Sequence, residues 1–387
     1  MKKFKVLTAV VLAVICLFSF NCNNKVEGNS YDGSQVTDVK NVILLIGDGM
    51  GPNQIRAGEI FKGEQLFMQK IPQNTYVETR SASSLITDSA ASATAMSTGV
   101  RTINGRVGID ENGVELETIV DLAKKNGKKT GVITTEELIG ATPMAFSGHS
   151  INRNNADELI TSAATASNVD LFATFTLSQT RYLDFFTNNG YELILDADKL
   201  SESTSEKVFG NFQIDAKAKS MTITEKIVAF DRVVCEGLEY LSKNKKGFFL
   251  MAEGAHIDHG GHANDINYML EELYAFDDMV KAVINWAEKR TDTVVIVTAD
   301  HETGGLELLN EEQANKRNFL EMNGNGNYKY FRWTDTGHTH TPVRLFYYGP
   351  KIEFANYSSF DEPTEKLIKN IDIFKIMKSY IEPANKN

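Results

Sequence analysis

The segment 42–49 (VILLIGDG) indicates the fold of this chain, because an unbroken apolar run ends there at a small polar turn. A short run without alternation is typical of a strand that is buried on both faces, as in a parallel sheet covered by helices. Four similar runs follow along the chain and are predicted to be further strands. They are 129–134 (KTGVIT), 248–251 (FFLM), 294–297 (VVIV) and 345–348 (LFYY).

Helical patterns separate these strands. Segment 116–126 has apolar residues at helical spacing and ends in Lys-Lys-Asn-Gly, which is a helix stop signal. Segment 268–288 has the same spacing over a longer stretch. Strands that alternate with helices predict an α/β fold with a mostly parallel central sheet sandwiched between helices. We expect a single domain at 40–387, with 310–336 as a small surface excursion.

The first 22 residues have the composition of an export signal. Lysines precede an apolar stretch at 6–20, and its length of about 15 residues is less than the roughly 20 needed to cross a bilayer. We therefore predict a signal peptide at 1–22 and a protein located in the periplasm or at the cell surface. Cys22 follows a stretch that loosely resembles a bacterial lipobox, so a lipid anchor at Cys22 and simple release both stay open. Residues 23–39 are polar and aperiodic, which predicts a flexible tether.

Composition and charge exclude several kinds of function. With 42% hydrophobic and 24% charged residues, the 387-residue chain has the composition of an ordinary globular protein. Its net charge of -11 argues against a nucleic-acid partner, since binding to a phosphate backbone needs a basic surface. Only three cysteines are present and Cys16 lies in the predicted signal, which excludes a disulfide framework. Any metal site would therefore use histidine, aspartate and glutamate.

Histidines are concentrated beside acids. Six of the seven lie in three short segments, at 256–262, at 301 and at 338–340. Asp258 and His262 are four residues apart, so on a helical turn both side chains face the same way and can share one ion. Any single pair is equally consistent with a helix cap or a salt bridge. The three segments together favour a metal centre with mixed oxygen and nitrogen ligands.

Polar side chains also follow three of the predicted strands. Asp48, Glu253 and the pair Asp300 and His301 each come shortly after an apolar run. In open α/β sheets, ligands bind beyond the carboxyl ends of the strands. The sequence therefore predicts that these residues meet at one edge of the sheet, where segment 338–340 adds another imidazole, from His338 or His340.

The segment 87–95 (TDSAASATA) contains the candidate nucleophile. Its small residues allow a helix to pack closely against its neighbours, and Asp88 or Ser89 would begin that helix. Backbone N–H groups and the positive end of the helix dipole would then lie beside the serine hydroxyl, which suits a phosphate group. Taken alone, Ser89 is equally consistent with a plain helix cap.

Six groups of residues together resemble the alkaline phosphatases, in order and in spacing, over nearly the whole mature chain. They are 41–52 (NVILLIGDGMGP), 87–100 (TDSAASATAMSTGV), 141–143 (ATP) with Arg153, 253–262 (EGAHIDHGGH), 298–304 (TADHETG), and 337–339 (GHT) leading to 348–350 (YGP). The resemblance implies an alkaline phosphatase-like catalytic domain that hydrolyses phosphate monoesters through a covalent phosphoserine on Ser89. It also implies a homodimer and a site with two Zn²⁺ and one Mg²⁺.

The resemblance further implies a role for each candidate residue. The three ligand sets would be Asp258, His262 and His338 for one zinc, Asp300, His301 and one oxygen of Asp48 for the other, and the second oxygen of Asp48 with Thr142 and Glu253 for magnesium. Arg153 would clamp two phosphate oxygens in the bidentate way that guanidinium favours, and His259 would contact phosphate through water. His340 stands where glycine is commoner and is interpreted as a pocket residue, with a ligand role as the alternative. Gly140 stands where relatives often have a carboxylate or an imidazole, which implies a weaker third site.

Other functions stay open beside this one. Phosphodiesterases, phosphonate hydrolases and phosphomutases of the same superfamily share the metal frame, although the Asp88-Ser89-Ala90 context and Arg153 favour monoesters. A sulfatase is disfavoured, because no C/S-x-P-x-R motif is found near Ser89. A non-catalytic surface protein that binds metal or phosphate would hold zinc without turnover, and the complete set of nucleophile, clamp and ligands argues against it.

Overall fold

The apolar runs of the sequence form the centre of a ten-stranded sheet in the computed structural model, which describes residues 31–165, 168–175, 180–212, 223–314, 320–321, 330–364 and 366–382. Its strands are β1 (Asn41–Gly47), β2 (Gln73–Glu78), β3 (Lys129–Thr134), β4 (Leu171–Thr174), β5 (Glu192–Ile194), β6 (Val208–Asn211), β7 (Phe248–Gly254), β8 (Thr293–Thr298), β9 (Glu302–Thr303), β10 (Leu306–Leu309), β11 (Leu320–Glu321), β12 (Tyr330–Trp333), β13 (His338–Thr339), β14 (Val343–Tyr348) and β15 (Leu367–Lys369). The predicted signal peptide and Cys22 lie outside the described residues.

The strand order of the large sheet is β15-β2-β14-β8-β1-β7-β3-β4-β6-β5. Neighbouring strands are parallel except at β14, which runs antiparallel to both β2 and β8. Strand β1 lies in the middle, and all seven of its residues are buried, as expected for an apolar run covered on both faces. The predicted mostly parallel sheet is confirmed.

Helices cover this sheet in two groups. They are α1 (Pro52–Lys62), α2 (Ser89–Thr98), α3 (Ile119–Lys125), α4 (Ala141–Ala145), α5 (Ala156–Thr165), α6 (Thr180–Asn188), α7 (Ile223–Ser242), α8 (His256–His262), α9 (Ile266–Ala287), α10 (Glu311–Ala314) and α11 (Asn370–Ile381). Helix α9 packs against α1, α7 and α8 and against β1, β7 and β8, whereas α2, α3, α4 and α11 contact one another and β1, β3 and β7. In the described part of the chain, none of these helices has the length and apolarity needed to cross a bilayer.

Side-chain caps set where the two predicted helices begin. Helix α3 begins three residues later than predicted, because the Thr118 hydroxyl accepts from Asp121 N (3.2 Å) and the Asp121 carboxylate accepts from Thr118 N (2.8 Å). Helix α9 begins two residues earlier than predicted. There the Asp265 carboxylate accepts from the backbone N–H groups of Asn267 and Tyr268 at 3.0 and 3.1 Å.

The described part of the predicted tether differs from the prediction. Val36 is only 4% exposed, and backbone N–H groups of Thr37 and Lys40 donate to the carbonyls of Thr291 and Asp292 at 2.9 and 2.8 Å. Residues 31–39 are therefore an ordered lead into β1. Their polar composition was misleading, because backbone hydrogen bonds hold this segment against the sheet without a periodic apolar pattern.

The predicted surface excursion contributes β11 and β12 to a second, small sheet. Strand β12 pairs antiparallel with β10 and β11. After it, β13 pairs antiparallel with β9, with His338 opposite Thr303. This pairing returns the chain to the carboxyl end of β8, where the predicted ligands lie.

Candidate active site

The predicted ligands come together beyond the carboxyl ends of four adjacent strands in the middle of the sheet. Asp48 directly follows β1, Glu253 is the next-to-last residue of β7, and Asp300 follows β8 by two residues. Thr142 lies on α4, which follows the loop after β3. Because β8, β1, β7 and β3 are consecutive in the sheet, their side chains reach one edge, as the strand-end pattern predicts.

Asp258, His262 and His338 form one ligand cluster, whose candidate donor atoms all lie within 4.8 Å of one another. Asp258 and His262 are one turn apart on α8, with Oδ2 and Nε2 at 3.2 Å, and His338 Nε2 lies 3.2 Å from His262 Nε2. The Nδ1 atoms of His262 and His338 donate to the carbonyl oxygens of Thr336 and Thr87 at 2.6 and 2.9 Å. Since a carbonyl only accepts, both Nδ1 atoms carry a proton, and both Nε2 atoms face the cluster, where they can bind a cation.

Asp48, Asp300 and His301 form the second ligand cluster. His301 Nε2 lies 3.1 Å from Asp300 Oδ2 and 3.6 Å from Asp48 Oδ1, and both Asp300 and His301 are fully buried. Neither Asp300 Oδ2 nor Asp48 Oδ1 has a hydrogen-bond partner among the described residues. Buried carboxylate oxygens without partners are costly, so this cluster fits a bound cation.

Glu253 and Thr142 give a third set of donor atoms next to Asp48. Their side chains are 0% and 1% exposed, and Glu253 Oε1 and Thr142 Oγ1 both lack a hydrogen-bond partner among the described residues. The other Glu253 oxygen accepts from the Thr134 hydroxyl, which fixes the carboxylate. A set made only of oxygen atoms fits a hard cation such as Mg²⁺.

The pKa values of the buried acids also indicate a cation site. Burial raises the pKa of Asp48 and of Glu253 well above the ordinary range of a carboxyl group, and the neighbouring carboxylates add to this. Burial also raises the pKa of Asp300 to about 6, whereas it holds the pKa of His301 well below its ordinary value. Buried acids that repel one another beside a neutral imidazole are stabilised when a cation binds between them.

Ser89 is the first residue of α2, beside both clusters. Asp88 caps this helix, since its carboxylate accepts from Ala91 N (3.0 Å) and Gly105 N (2.9 Å). Ser89 Oγ lies 3.2 Å from His301 Nε2 and the residue is 5% exposed. All ten residues of α2 are buried, as expected from their small side chains. The hydroxyl therefore lies at the helix N-terminus, as predicted, with Asp88 rather than Ser89 as the cap.

Arg153 lies at the mouth of the site. Its Nη1 atom is 3.2 Å from Asp88 Oδ2, and its backbone N–H donates to Gly105 O at 2.7 Å. The Arg153 side chain is one-third exposed, so it is held beside the residue that precedes Ser89 and still reaches solvent. His259 is more exposed, at 46%, and its nearest acid is Glu136, with Nε2 and Oε2 at 3.6 Å.

Two residues of the site escaped the sequence analysis. Thr303 donates its hydroxyl to Asp258 Oδ1 and lies 3.2 Å from His301 Nδ1, so it contacts both clusters. Glu136 follows β3 by two residues and carries the same strand-end signal as Asp48. His340 is exposed and does not belong to either ligand cluster of the described residues.

Gly49 allows the loop after β1 to approach α8. Its φ is +73°, and a Cβ there would lie 2.6 Å from Asp258 Cα, a backbone atom that cannot swing away. We expect Gly49→Ala to lower the free energy of unfolding by at least about 2 kcal/mol beyond the loss that backbone strain alone would cause. We also expect it to lower activity, because it would separate Asp48 from Asp258. Chemical denaturation and activity assays would measure both effects.

Gly63→Ala is the matched control for this prediction. Gly63 has φ +75° with nothing within 4 Å of its Cβ position, so it isolates the conformational cost of about 1 kcal/mol. Equal losses in the two variants would contradict the close-approach argument.

An α/β sheet whose carboxyl edge carries two metal-ligand clusters beside a helix-initial serine is the frame of a metal-dependent hydrolase. The family model described as alkaline phosphatase matches residues 39–180 and 179–329. The chain therefore belongs to the alkaline phosphatase family, and it is a metal-dependent phosphoric monoester hydrolase.

Individual relatives agree with the family model. The chain is 33% identical over 333 residues to alkaline phosphatase 3 of Bacillus subtilis, and this match covers 80% of this chain and 71% of the relative. It is 31% identical over 328 residues to the alkaline phosphatase of Escherichia coli, over 68% of this chain and 70% of the relative. The solved alkaline phosphatase of the Antarctic bacterium TAB5 superposes with a TM-score of 0.74 at 28% identity, over 90% of this chain and 99% of that one. The predicted family and fold class are confirmed.

Proposed function

We propose that Ser89 is the nucleophile of this phosphatase and is phosphorylated by each substrate in turn. The observation that carries this proposal is the position of its hydroxyl, 3.2 Å from His301 Nε2 at the N-terminus of α2. The helix start directs backbone N–H groups towards a phosphate at this position. In the first step the Ser89 Oγ–P bond forms, and the bond from phosphorus to the leaving alcohol oxygen breaks. In the second step water attacks phosphorus, the Oγ–P bond breaks, and inorganic phosphate leaves with Ser89 restored.

We also propose that the two mixed clusters hold Zn²⁺ and that the oxygen set of Asp48, Thr142 and Glu253 holds Mg²⁺. The mixture of imidazole nitrogen and carboxylate oxygen suits zinc, and the partnerless oxygens of the third set suit magnesium. When bound, these cations would neutralise the phosphate charge and lower the pKa of the attacking and leaving oxygens. The backbone carbonyls of Thr336 and Thr87 orient two of the ligands, because they accept hydrogen bonds from Nδ1 of His262 and His338.

The substrate class can be tested directly. A phosphate monoester dianion presents several terminal oxygens to Arg153 and the ligand clusters, whereas a diester replaces one of them with a bulky group. We expect kcat/KM for an aryl phosphate monoester to exceed that for the matching diaryl diester by about 100-fold or more. A preference for the diester would support the phosphodiesterase alternative. Zinc binding with no turnover of either ester would support the binding-protein alternative.

Arg153 is proposed to bind the phosphate oxygens, with Asp88 fixing the guanidinium in place. Arg153→Ala is expected to lower kcat/KM by roughly 10- to 100-fold and to raise the inhibition constant of inorganic phosphate by a similar factor, because a bidentate charged contact is lost. Arg153→Lys should recover only part of the loss. Steady-state kinetics with phosphate as inhibitor would measure both constants.

Arg232→Ala is the control for loss of a positive charge, because Arg232 is exposed on α7 and pairs with Asp198. We expect it to leave both constants unchanged. If Arg153→Ala also leaves phosphate inhibition unchanged, Arg153 does not contact the phosphate.

Three further parts of the proposal rest on the sequence and on the family resemblance. They are export to the periplasm or cell surface, a lipid anchor at Cys22, and a homodimer. The mass of the mature N-terminus would distinguish a lipidated Cys22 from a plain signal cleavage. Light scattering on the mature protein would distinguish a dimer from a monomer.

A further inference from the structure

A carboxylate fills the space where Gly140 lacks a side chain. A Cβ built on Gly140 would lie only 2.1 Å from Glu136 Oε1, so the carboxylate of Glu136 already occupies that volume. Glu136 stands four residues earlier in the chain, in the loop that joins β3 to α4. The glycine therefore does not leave a gap beside the third ligand set.

Glu136 interacts with the acids of the third ligand set. Its backbone N–H donates to Thr134 Oγ1 at 3.2 Å, and the Thr134 hydroxyl in turn donates to Glu253 Oε2. Glu136 is therefore joined to Glu253 through one intervening side chain, and the second oxygen of its carboxylate lies 3.6 Å from His259 Nε2. Glu253 Oε1 and Thr142 Oγ1, which have no hydrogen-bond partner among the described residues, are the independent sign that this place binds a ligand.

Water has access to the same place. An open pocket of about 360 Å³ is lined by Glu136, Glu137, Ile139, Gly140, His256 and His259. A pocket of this size holds several waters beside a polar group. Mg²⁺ gives up its waters reluctantly and is commonly held through them by carboxylates that do not touch the ion. Glu136 can therefore act on a cation at Asp48, Thr142 and Glu253 without being a direct ligand.

We propose that Glu136 is a positioning residue for the third cation, and that its carboxylate takes the place of the side chain that Gly140 lacks by accepting hydrogen bonds from the water of that cation. The inference rests on the proposed magnesium site. It revises the expectation that Gly140 weakens this site, because the carboxylate is supplied from another position.

The test measures Mg²⁺ affinity by calorimetry on the zinc-loaded protein, alongside the stimulation of activity by Mg²⁺. Glu136→Gln keeps the shape and removes the charge, and we expect it to weaken Mg²⁺ binding by about 10- to 100-fold with an unchanged zinc content. The double variant Glu136→Ala with Gly140→Asp moves a carboxylate back to position 140, and we expect it to recover most of the affinity. Glu115→Gln, which removes an exposed acid, is the control and should change nothing.

Several outcomes would overturn the inference. An unchanged Mg²⁺ affinity in Glu136→Gln would show that this carboxylate does not support the cation. Failure of the double variant to recover affinity, with a wild-type melting temperature, would show that the volume beside Gly140 is not the relevant position. Glu253→Gln separates this inference from the proposed function: if it also leaves Mg²⁺ binding unchanged, the third metal site itself is wrong, whereas an effect of Glu253→Gln alone refutes only the role of Glu136.

Discussion

Ser89→Ala is expected to lower kcat/KM for an aryl phosphate by roughly 10³- to 10⁵-fold while the fold and the metal content stay unchanged. The physical reason is that the substitution removes only the attacking oxygen. Ser89 Oγ contacts His301 Nε2 at 3.2 Å, and the ligand side chains of both clusters come from other elements. Alanine is also a good residue for the buried, alanine-rich helix α2.

The covalent step gives this prediction a second measurement. Acid-quenched wild-type enzyme with excess substrate should gain the mass of one phosphoryl group on the peptide that contains Ser89, and Ser89→Ala should not. Ser97→Ala is the matched control, because Ser97 is a buried serine of the same helix whose hydroxyl bonds to Ala145 O at 2.6 Å. It should lose about 1 kcal/mol of stability and keep its activity.

A Ser89→Ala variant that retained more than about a tenth of wild-type activity would refute the phosphoserine route. In that event water would attack phosphorus directly, and the helix N-terminus would serve only to bind phosphate. Loss of activity together with loss of zinc would instead show that the serine is needed for assembly of the site.

Local patterns predicted the parts of the site that depend on nearby residues. Asp48 and Glu253 follow or end buried strands, and Asp258 and His262 lie one turn apart on a short helix, so spacing alone placed them at the sheet edge. His338 is different. Its position depends on the pairing of β13 with β9 after the excursion, which is a long-range contact that no local pattern encodes, and only the family resemblance distinguished it from His340.

The relation between Glu136 and Gly140 was not predictable for a related reason. The sequence shows an absent side chain at 140 and an acid at 136, but whether one fills the place of the other depends on how the loop after β3 turns. The order of segment 31–39 was not predicted, because it depends on backbone hydrogen bonds to Thr291 and Asp292. Such bonds produce no recognisable pattern in a polar sequence.

Removal of the cations with a chelator is expected to abolish activity, by about 10³-fold or more, and to lower the melting temperature by about 5 to 10 °C. The expected loss of stability follows from buried carboxylate oxygens of the site that have no hydrogen-bond partner among the described residues. Asp48 Oδ1, Asp300 Oδ2 and Glu253 Oε1 are buried oxygens without hydrogen-bond partners among the described residues, so the carboxylates that carry them repel one another when no cation lies between them. Zn²⁺ should restore activity. Mg²⁺ alone should not, because two of the three ligand sets include imidazole.

Ser89→Ala provides the control that separates cation binding from catalysis. This variant keeps every proposed ligand, so we expect its melting temperature to fall on chelation and to recover with Zn²⁺ as in the wild type, although it never becomes active. Differential scanning calorimetry with metal analysis would measure this. If chelation that removes all metal leaves both the melting temperature and the activity of the wild type unchanged, the two clusters are not cation sites, and the raised pKa values of Asp48, Glu253 and Asp300 would mean that these acids are stabilised by protonation instead.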